Sequence, residues 1–425
     1  MEHTADNTMI PDEKSCAEAL TRDQPLLPYQ TYYLDYQLYA PSKCMVNMAY
    51  NLKLPKRMVE PEALKNAVNL LLHRLSVFGT VFTYNDAGEL VQRYCPELIR
   101  DAELERTTEE DYRRIYHPEL IKPHEKLNHL MYRIKLYETE ENTYFCYDIC
   151  HVLFDGTANR ILLKLLFDVL HGGDIPQDRY YYYLEQMAKR RENADAKKDF
   201  AFLERLYSDP RYDKHPSRDV FDRGNLAYNE FLPTKHTLSE YEEAAKKKNT
   251  SLNKAFVCAA LLAIRRFNQK DQVAVEWLYH GRNEEWKKQI AGLTMCAIPA
   301  AVDFSQINST DELLAAVQEQ VDIGYQYAEY SYALHQSSPS ANEYFRVIYQ
   351  KNISANKDMP AGVELEQNYD AINGLPSMMQ AVIYPGEKNE PLSVILAVNL
   401  SCYTEERTRQ FGKLFLEAFD ECLLS

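Results

Sequence analysis

Apolar positions along the chain alternate between a period near two and a period near 3.6, and the blocks predict mixed strands and helices. Met45 to Leu54 reads as a strand. A helix follows with Pro61 near its start and Leu64, Val68, Leu71, Leu72 and Leu75 on one face. Val77 to Tyr84 and Leu90 to Tyr94 predict a hairpin around Asn85-Asp86-Ala87-Gly88. Leu130 to Tyr137 and Thr143 to Cys150 predict a second one around the acidic turn Glu138 to Asn142. After His151 to Gly156 comes an apolar helix with Ile161, Leu162, Leu165, Leu166, Val169 and Leu170 inside, closed by Gly172-Gly173. A short helix around Cys16 to Leu20 precedes all of this.

Residues 176 to about 225 change character, and Tyr180 to Tyr183 with Lys189-Arg190-Arg191 suggest a surface helix and then a linker. The second half restarts the rhythm. Ser239 to Lys248 and a segment from Leu252 through Arg266 read as helices, Val273 to Tyr279 and Gly292 to Val302 as strands, and Asp311 to Tyr330 as a helix. Met378 to Tyr384 and Leu392 to Leu400 are late strands before a final helix, Glu405 to Cys422. The fold class is therefore α+β in two lobes, residues 1–185 and 226–425, with 186–225 between them. A length of 425 residues agrees with two domains.

The hydrophobic share of 45% and charged share of 26% are ordinary for a folded protein. Glycine is scarce at 13 residues, so phosphate-cradling loops are few, and neither G-x-G-x-x-G nor G-x-x-x-x-G-K occurs. A net charge of −15 argues against nucleic acid as a partner. No apolar run approaches 18 residues, which predicts no membrane span. The start Met1-Glu2-His3 has no basic, apolar signal pattern, so the nine cysteines read as reduced thiols of a cytoplasmic protein.

One constellation carries chemistry. In Cys150-His151-Val152-Leu153-Phe154-Asp155-Gly156, a strand ends at a histidine, and Asp-Gly follows four residues later just before a helix. A neutral imidazole accepts a proton from a hydroxyl or amine near pH 7. Asp155 is placed to shape the turn or to hold a cation, and Gly156 permits backbone conformations that other residues resist.

At these residues the chain resembles the thioester-dependent acyltransferase superfamily, which includes chloramphenicol acetyltransferases and the condensation domains of nonribosomal peptide synthetases. Its signature is H-x-x-x-D-G at a strand end. Leu26-Leu27-Pro28 to Tyr33 resembles the opening segment of condensation domains, and the helix and hairpin at 61–94 follow in order. Ser251-Leu252-Asn253 resembles the helix start of their second lobe. Gly281-Arg282, with Gly292 ten residues later, resembles their G-R strand pair.

The resemblance implies two chloramphenicol-acetyltransferase-like αβ sandwich lobes in a V with a central tunnel. It implies acyl transfer from an acyl-CoA or phosphopantetheinyl thioester, used as co-substrate rather than as bound cofactor, to the hydroxyl or amine of a small-molecule acceptor. An acyl or peptidyl carrier protein is the implied partner. His151 is then the base and Asp155 a structural group held by an arginine. Gly156 shapes the turn and offers its N–H to an oxyanion. Arg282 lies across the cleft, near Asp155, and Gly281 and Arg282 are the implied substrate-binding residues. The chain departs from the pattern in three places. Cys150 stands where a first histidine is common, Gly79 stands where an arginine commonly precedes Thr80, and Asp303-Phe304-Ser305 is not the D-F-G-W-G motif of the plant branch. The missing arginine leaves Arg282 or Arg74 to hold Asp155, and it motivates a second reading, a degenerate protein that binds a carrier or small molecule without turnover.

Rival sites are weaker. Cys146 and Cys150 share a strand face about 13 Å apart at ~3.3 Å per residue, too far for one zinc, so no metal is expected. His280 reads as a hydrogen-bonded strand-end histidine, and His73 as solvated. Lys246-Lys247-Lys248 and Lys189-Arg190-Arg191 read as solvated helix faces. Trp277 and Tyr325 to Tyr332 are either core or tunnel wall.

Overall fold

Two separate cores form, each from helices laid against sheet. The structure, a computed structural model, describes residues 10–39, 44, 46–192, 209–222, 226–327, 344–350, 359–367 and 378–425. The first unit gathers the described residues up to Glu192, His280–Met295 and residues 359–367; the second takes the described remainder. The excursions at 280–295 and 359–367 leave no trace in the linear pattern of the sequence.

In chain order the first unit contains α1 (Glu13–Leu20), β1 (Gln24–Pro25), α2 (Pro28–Tyr39), β2 (Asn47–Pro55), α3 (Pro61–Arg74), β3 (Thr80–Tyr84), β4 (Leu90–Tyr94), β5 (Leu104–Arg106), α4 (Glu109–Leu120), β6 (Tyr132–Glu138), β7 (Asn142–Cys150), α5 (Gly156–Leu170) and α6 (Tyr180–Glu192). Helix α3 starts at Pro61, whose absent N–H costs nothing in a first turn, and it buries Leu64, Val68, Leu71 and Leu72 as the 3.6-residue spacing requires. Strand β7 lies inside its sheet, antiparallel to β2 on one side and to β6 on the other. Its register pairs Cys150 with Asn47, the first residue of β2, so the ladder runs out at the residue before His151.

The second unit contains β8 (Ala227–Thr237), α7 (Leu238–Lys247), α8 (Leu252–Asn268), β9 (Gln272–Tyr279), β10 (Cys296–Asp303), α9 (Thr310–Tyr327) and β11 (Arg346–Tyr349). After β12 (Glu364–Gln367), which pairs with β2 of the first unit's sheet, it resumes with β13 (Met379–Tyr384), β14 (Pro391–Asn399) and α10 (Glu405–Leu424). Its sheet has the order β10-β9-β11-β13-β14-β8. Helix α8 is buried without interruption from Ala255 to Ile264, which fits a helix apolar all round and covered on every side. Phe256 stacks on Phe419 of α10 with centroids 3.7 Å apart.

Several expectations change here. The strand expected over Gly292 to Val302 begins only at Cys296, because 280–295 leaves the second unit to pack in the first. Helix α6 is no surface helix: Tyr180, Tyr181, Tyr183, Leu184 and Met187 are buried. Its phenols avoid the cost of burial by finding partners, Tyr180 accepting from Gln30 and Tyr181 meeting Thr80. Of the expected linker, 193–208 and 223–225 lie outside the described residues, and Val220 and Asp222 donate backbone hydrogen bonds to Cys402 and Ser401. Residues 328–332 of the tyrosine-rich stretch also lie outside the described residues. Trp277 is core.

Candidate active site

Every group of the site belongs to the first unit. As β7 ends, the Cys150 N–H donates to Met131 O at 2.9 Å and the His151 N–H to Val46 O at 2.7 Å, so the backbone is held on both sides up to the imidazole. Val152, Leu153 and Phe154 then turn into the core, while His151 stays part-exposed. Asp155 caps α5: its Oδ1 accepts from Ala158 N at 2.8 Å, satisfying one of the donors a helix start leaves open. Gly156 is the first residue of α5 and takes helical backbone. The backbone freedom expected at Gly156 is needed at Gly281 instead, where φ is +69°.

The other carboxylate oxygen of Asp155 holds the 280–295 segment. Oδ2 accepts from Arg282 Nη1 and from Thr294 N, both at 3.0 Å. Arg282 spends its remaining donors on carbonyls: Nη1 on His280 O at 3.1 Å, Nη2 on Ile290 O at 3.1 Å and Gly292 O at 2.6 Å, and Nε on Ile290 O. One more bond, Leu293 N to Leu153 O at 2.7 Å, joins the segment to the motif loop itself. Asp155 and Arg282 are both buried, a pairing that is tolerated because all their polar atoms have partners. Gly281 is required where it stands: a Cβ there would lie 2.1 Å from Thr294 O.

Burial lowers the pKa of His151, and the nearby Asp155 carboxylate opposes this only in part. The ring is therefore neutral at pH 7 and able to take a proton. Hydrogen bonds to the backbone of His151 and Phe154 also favour the charged ring, and burial outweighs them. Tyr33 stacks on the imidazole with centroids 4.5 Å apart and planes 23° from parallel. Cys150 is fully buried, and desolvation pushes its thiol up to about 12, so it is inert chemically.

His280 is the strand-end histidine expected, and it is tied in: its Nδ1 accepts from Arg282 N at 2.9 Å, which places the proton of the neutral ring on Nε2. Burial and the Arg282 charge lower its pKa, with Asp155 opposing. His73 is exposed and pairs with Asp101 at 2.7 Å. Cys146 faces away, with its thiol near Asn51 and Tyr112. The structure thus brings together His151, Asp155, Gly156, Gly281 and Arg282. It adds Thr294 and Leu293, which act through backbone N–H groups that no side-chain pattern advertises, and Tyr33, whose sequence signal is its place at the end of the opening segment Leu26 to Tyr33. Among the described residues no helix is long and apolar enough to cross a membrane.

The Condensation domain family matches residues 21–368 of this chain. Surfactin synthase subunit 2 of Bacillus subtilis (strain 168) is 28% identical over 140 residues, 32% of this chain, and the match spans only 4% of that much longer relative. The condensation domain of the Monacolin K polyketide synthase MokA superposes with a TM-score of 0.76 at 13% identity, covering 94% of this chain and 96% of that one. The starter condensation domain of rhizomide synthetase RzmA superposes with a TM-score of 0.75 at 15% identity over 95% and 97% of the two chains, and an arginine-to-alanine mutant of it was solved in complex with C8-CoA. At such identities the likeness concerns the fold, two α+β lobes of the chloramphenicol-acetyltransferase type. With the family pattern extending over most of its length and the same fold recovered in three dimensions, the chain belongs to the condensation-domain family.

Proposed function

We propose that the protein is an acyltransferase that moves an acyl group from a CoA or carrier-protein thioester to a hydroxyl or amine of a small molecule, with His151 as general base. The observation that carries this reading is the contrast at the end of β7. His151 keeps contact with solvent while its three successors are buried, and Asp155 is committed elsewhere by both oxygens.

In the proposed reaction the acceptor's oxygen or nitrogen attacks the thioester carbonyl as its proton passes to His151 Nε2. The tetrahedral intermediate then collapses, the C–S bond breaks, and the same proton goes to the departing sulfur. Backbone N–H of Gly156, at the first turn of α5, is the group assigned to the transient oxyanion; such a donor is worth ~3 kcal/mol in comparable enzymes. Asp155 acts on geometry, since a carboxylate that caps a helix and grips an arginine is not free to orient the imidazole. The C8-CoA complex of the RzmA mutant supports an acyl-CoA donor for this chain as well, and a carrier-bound thioester offers the same reacting group. A cytoplasmic setting suits both donors.

The alternative, a binder without turnover, is motivated by the missing arginine before Thr80. That position leaves no room for one, since a Cβ on Gly79 would lie 2.5 Å from the Tyr94 ring, and Arg282 supplies the guanidinium instead. The test incubates the protein with a panel of acyl-CoA and acyl-carrier thioesters plus amine and alcohol acceptors, and measures released thiol. Transfer by the native protein and its loss in His151→Ala is the expected result. Full activity in His151→Ala refutes the role of the base, and no consumption of any donor favours the binder.

A further inference from the structure

Burying a phenol without a partner for its hydroxyl costs free energy, and several tyrosines of the first unit avoid that cost. Tyr147 donates to Asn159 at 2.8 Å, Tyr180 accepts from Gln30, Tyr181 meets Thr80, and Tyr144 donates to Glu109. Tyr132, the first residue of β6, departs from these. It is part-exposed, and among the described residues its hydroxyl makes no hydrogen bond. Desolvation, with no hydrogen bond or charge opposing it, pushes the phenol up to about 12, so the group keeps its proton at pH 7.

The register places Tyr132 opposite Ile149 of β7, and beside it the Cys150 N–H donates to Met131 O. Residues two apart along a strand share a face, so Tyr132 lies on the face of Ile149 and, one step on, of His151. Diagonal neighbours of this kind are ~7–8 Å apart, within reach of an aromatic side chain. Tyr147, on the same face, reaches Asn159, so α5 covers this face, and α5 begins with Gly156 at the end where β7 stops. Phe78 meets the Tyr132 ring edge-on at 5.2 Å and also packs against Phe154 of the motif loop at 6.2 Å. The phenol is thus held against apolar rings beside the loop that carries the base, with its one donor unspent.

We propose that Tyr132 is a catalytic residue whose hydroxyl donates to the thioester carbonyl oxygen as that oxygen becomes the oxyanion, a second donor beside the N–H of Gly156. This rests on the reading of the protein as an acyltransferase. An oxyanion is served best by donors already aimed and already stripped of water, and an apolar nest strengthens the bond they give. No proton leaves the phenol. The acceptor's proton passes to His151 and then to the departing sulfur, while Tyr132 gives a hydrogen bond that is strongest in the tetrahedral intermediate. A phenol that merely fills the space between Ile149 and Phe78 predicts instead that phenylalanine serves equally well.

The experiment measures transfer from thioester to acceptor by the full chain, native and Tyr132→Phe, with thermal unfolding of each. Tyr132→Phe keeps the ring against Phe78 and the native melting temperature. Its kcat falls by about 10²–10³-fold with KM nearly unchanged, the loss expected when one oxyanion donor is removed. Fluorinated tyrosines incorporated at position 132 give a readout that packing does not move: kcat rises with the acidity of the phenol while it stays protonated, and KM holds. This series keeps the hydroxyl and decides alone if Tyr132→Phe fails to fold. Native kcat in folded Tyr132→Phe, a rise in KM alone, or a kcat indifferent to fluorination overturns the proposal. If His151→Ala retains full transfer while Tyr132→Phe loses it, the base assignment falls and the oxyanion donor stands. Consumption of no donor by the native protein overturns both.

Discussion

The carboxylate of Asp155 and the guanidinium of Arg282 meet at 3.0 Å although 127 residues separate them in the chain. The contact ties the loop that carries His151 to a segment that leaves the second half of the sequence and folds with the first. Arg282 is thereby fixed between one carboxylate and three backbone carbonyls, those of His280, Ile290 and Gly292.

Removing either partner leaves a buried charge without compensation, so Arg282→Ala and Asp155→Asn are each expected to cost about 3–5 kcal/mol of stability. Asn at 155 keeps the helix cap through its carbonyl but turns an NH₂ group toward two donors. Urea denaturation measures the loss, and a change below ~1 kcal/mol in both variants contradicts the account of the pair.

Gly281 and Gly88 both have left-handed backbone, at φ +69° and +77°. A methyl group at 88 would meet nothing within 4 Å, whereas at 281 it would strike Thr294 O at 2.1 Å. Gly88→Ala is expected to cost ~1–2 kcal/mol, the left-handed strain alone. Gly281→Ala adds displacement of Thr294, whose N–H serves Asp155, so its melting temperature falls further. Equal shifts for the two variants would show that the close approach does not matter.

His151 and His280 both titrate below their ordinary value of 6.5, chiefly because burial disfavours the charged ring. In the window below 6.5 the unfolded chain binds more protons than the folded one. Their contribution to stability is therefore complete above pH 6.5 and is lost as pH falls through the folded values. Stability measured between pH 7 and pH 5 is expected to decline with acid, and the decline to flatten in His151→Gln and in His280→Gln. For catalysis the same shift places the acid limb of kcat/KM below 6.5; a limb above that value contradicts a desolvated base.

Cys150 is adjacent to the base yet buried, with its thiol pushed up to about 12. An aromatic disulfide reagent at pH 8 is expected to leave it unmodified in the folded protein and to label it after denaturation, read by peptide mass. Rapid native labelling at Cys150 would show that β7 opens at its end.

Local pattern determined much of this protein. The spacing of Leu64, Val68, Leu71 and Leu72 sufficed for α3, and the alternation before His151 sufficed for β7, because burial on one face imposes a period whatever the neighbours are. The motif residues His151 and Asp155 were legible for the same reason, being short-range features of a strand, a turn and a helix cap. Helix α6 reads as a surface helix in the sequence because tyrosines look polar enough for a surface until Gln30 and Thr80 take up their hydroxyls. Only the tertiary structure decided which arginine holds Asp155, that Thr294 and Leu293 grip the motif through backbone N–H groups, and that Tyr33 lies on His151. Those contacts join residues distant in the chain through main-chain atoms or ring faces common to many side chains, and neither kind writes a period or a motif into the sequence.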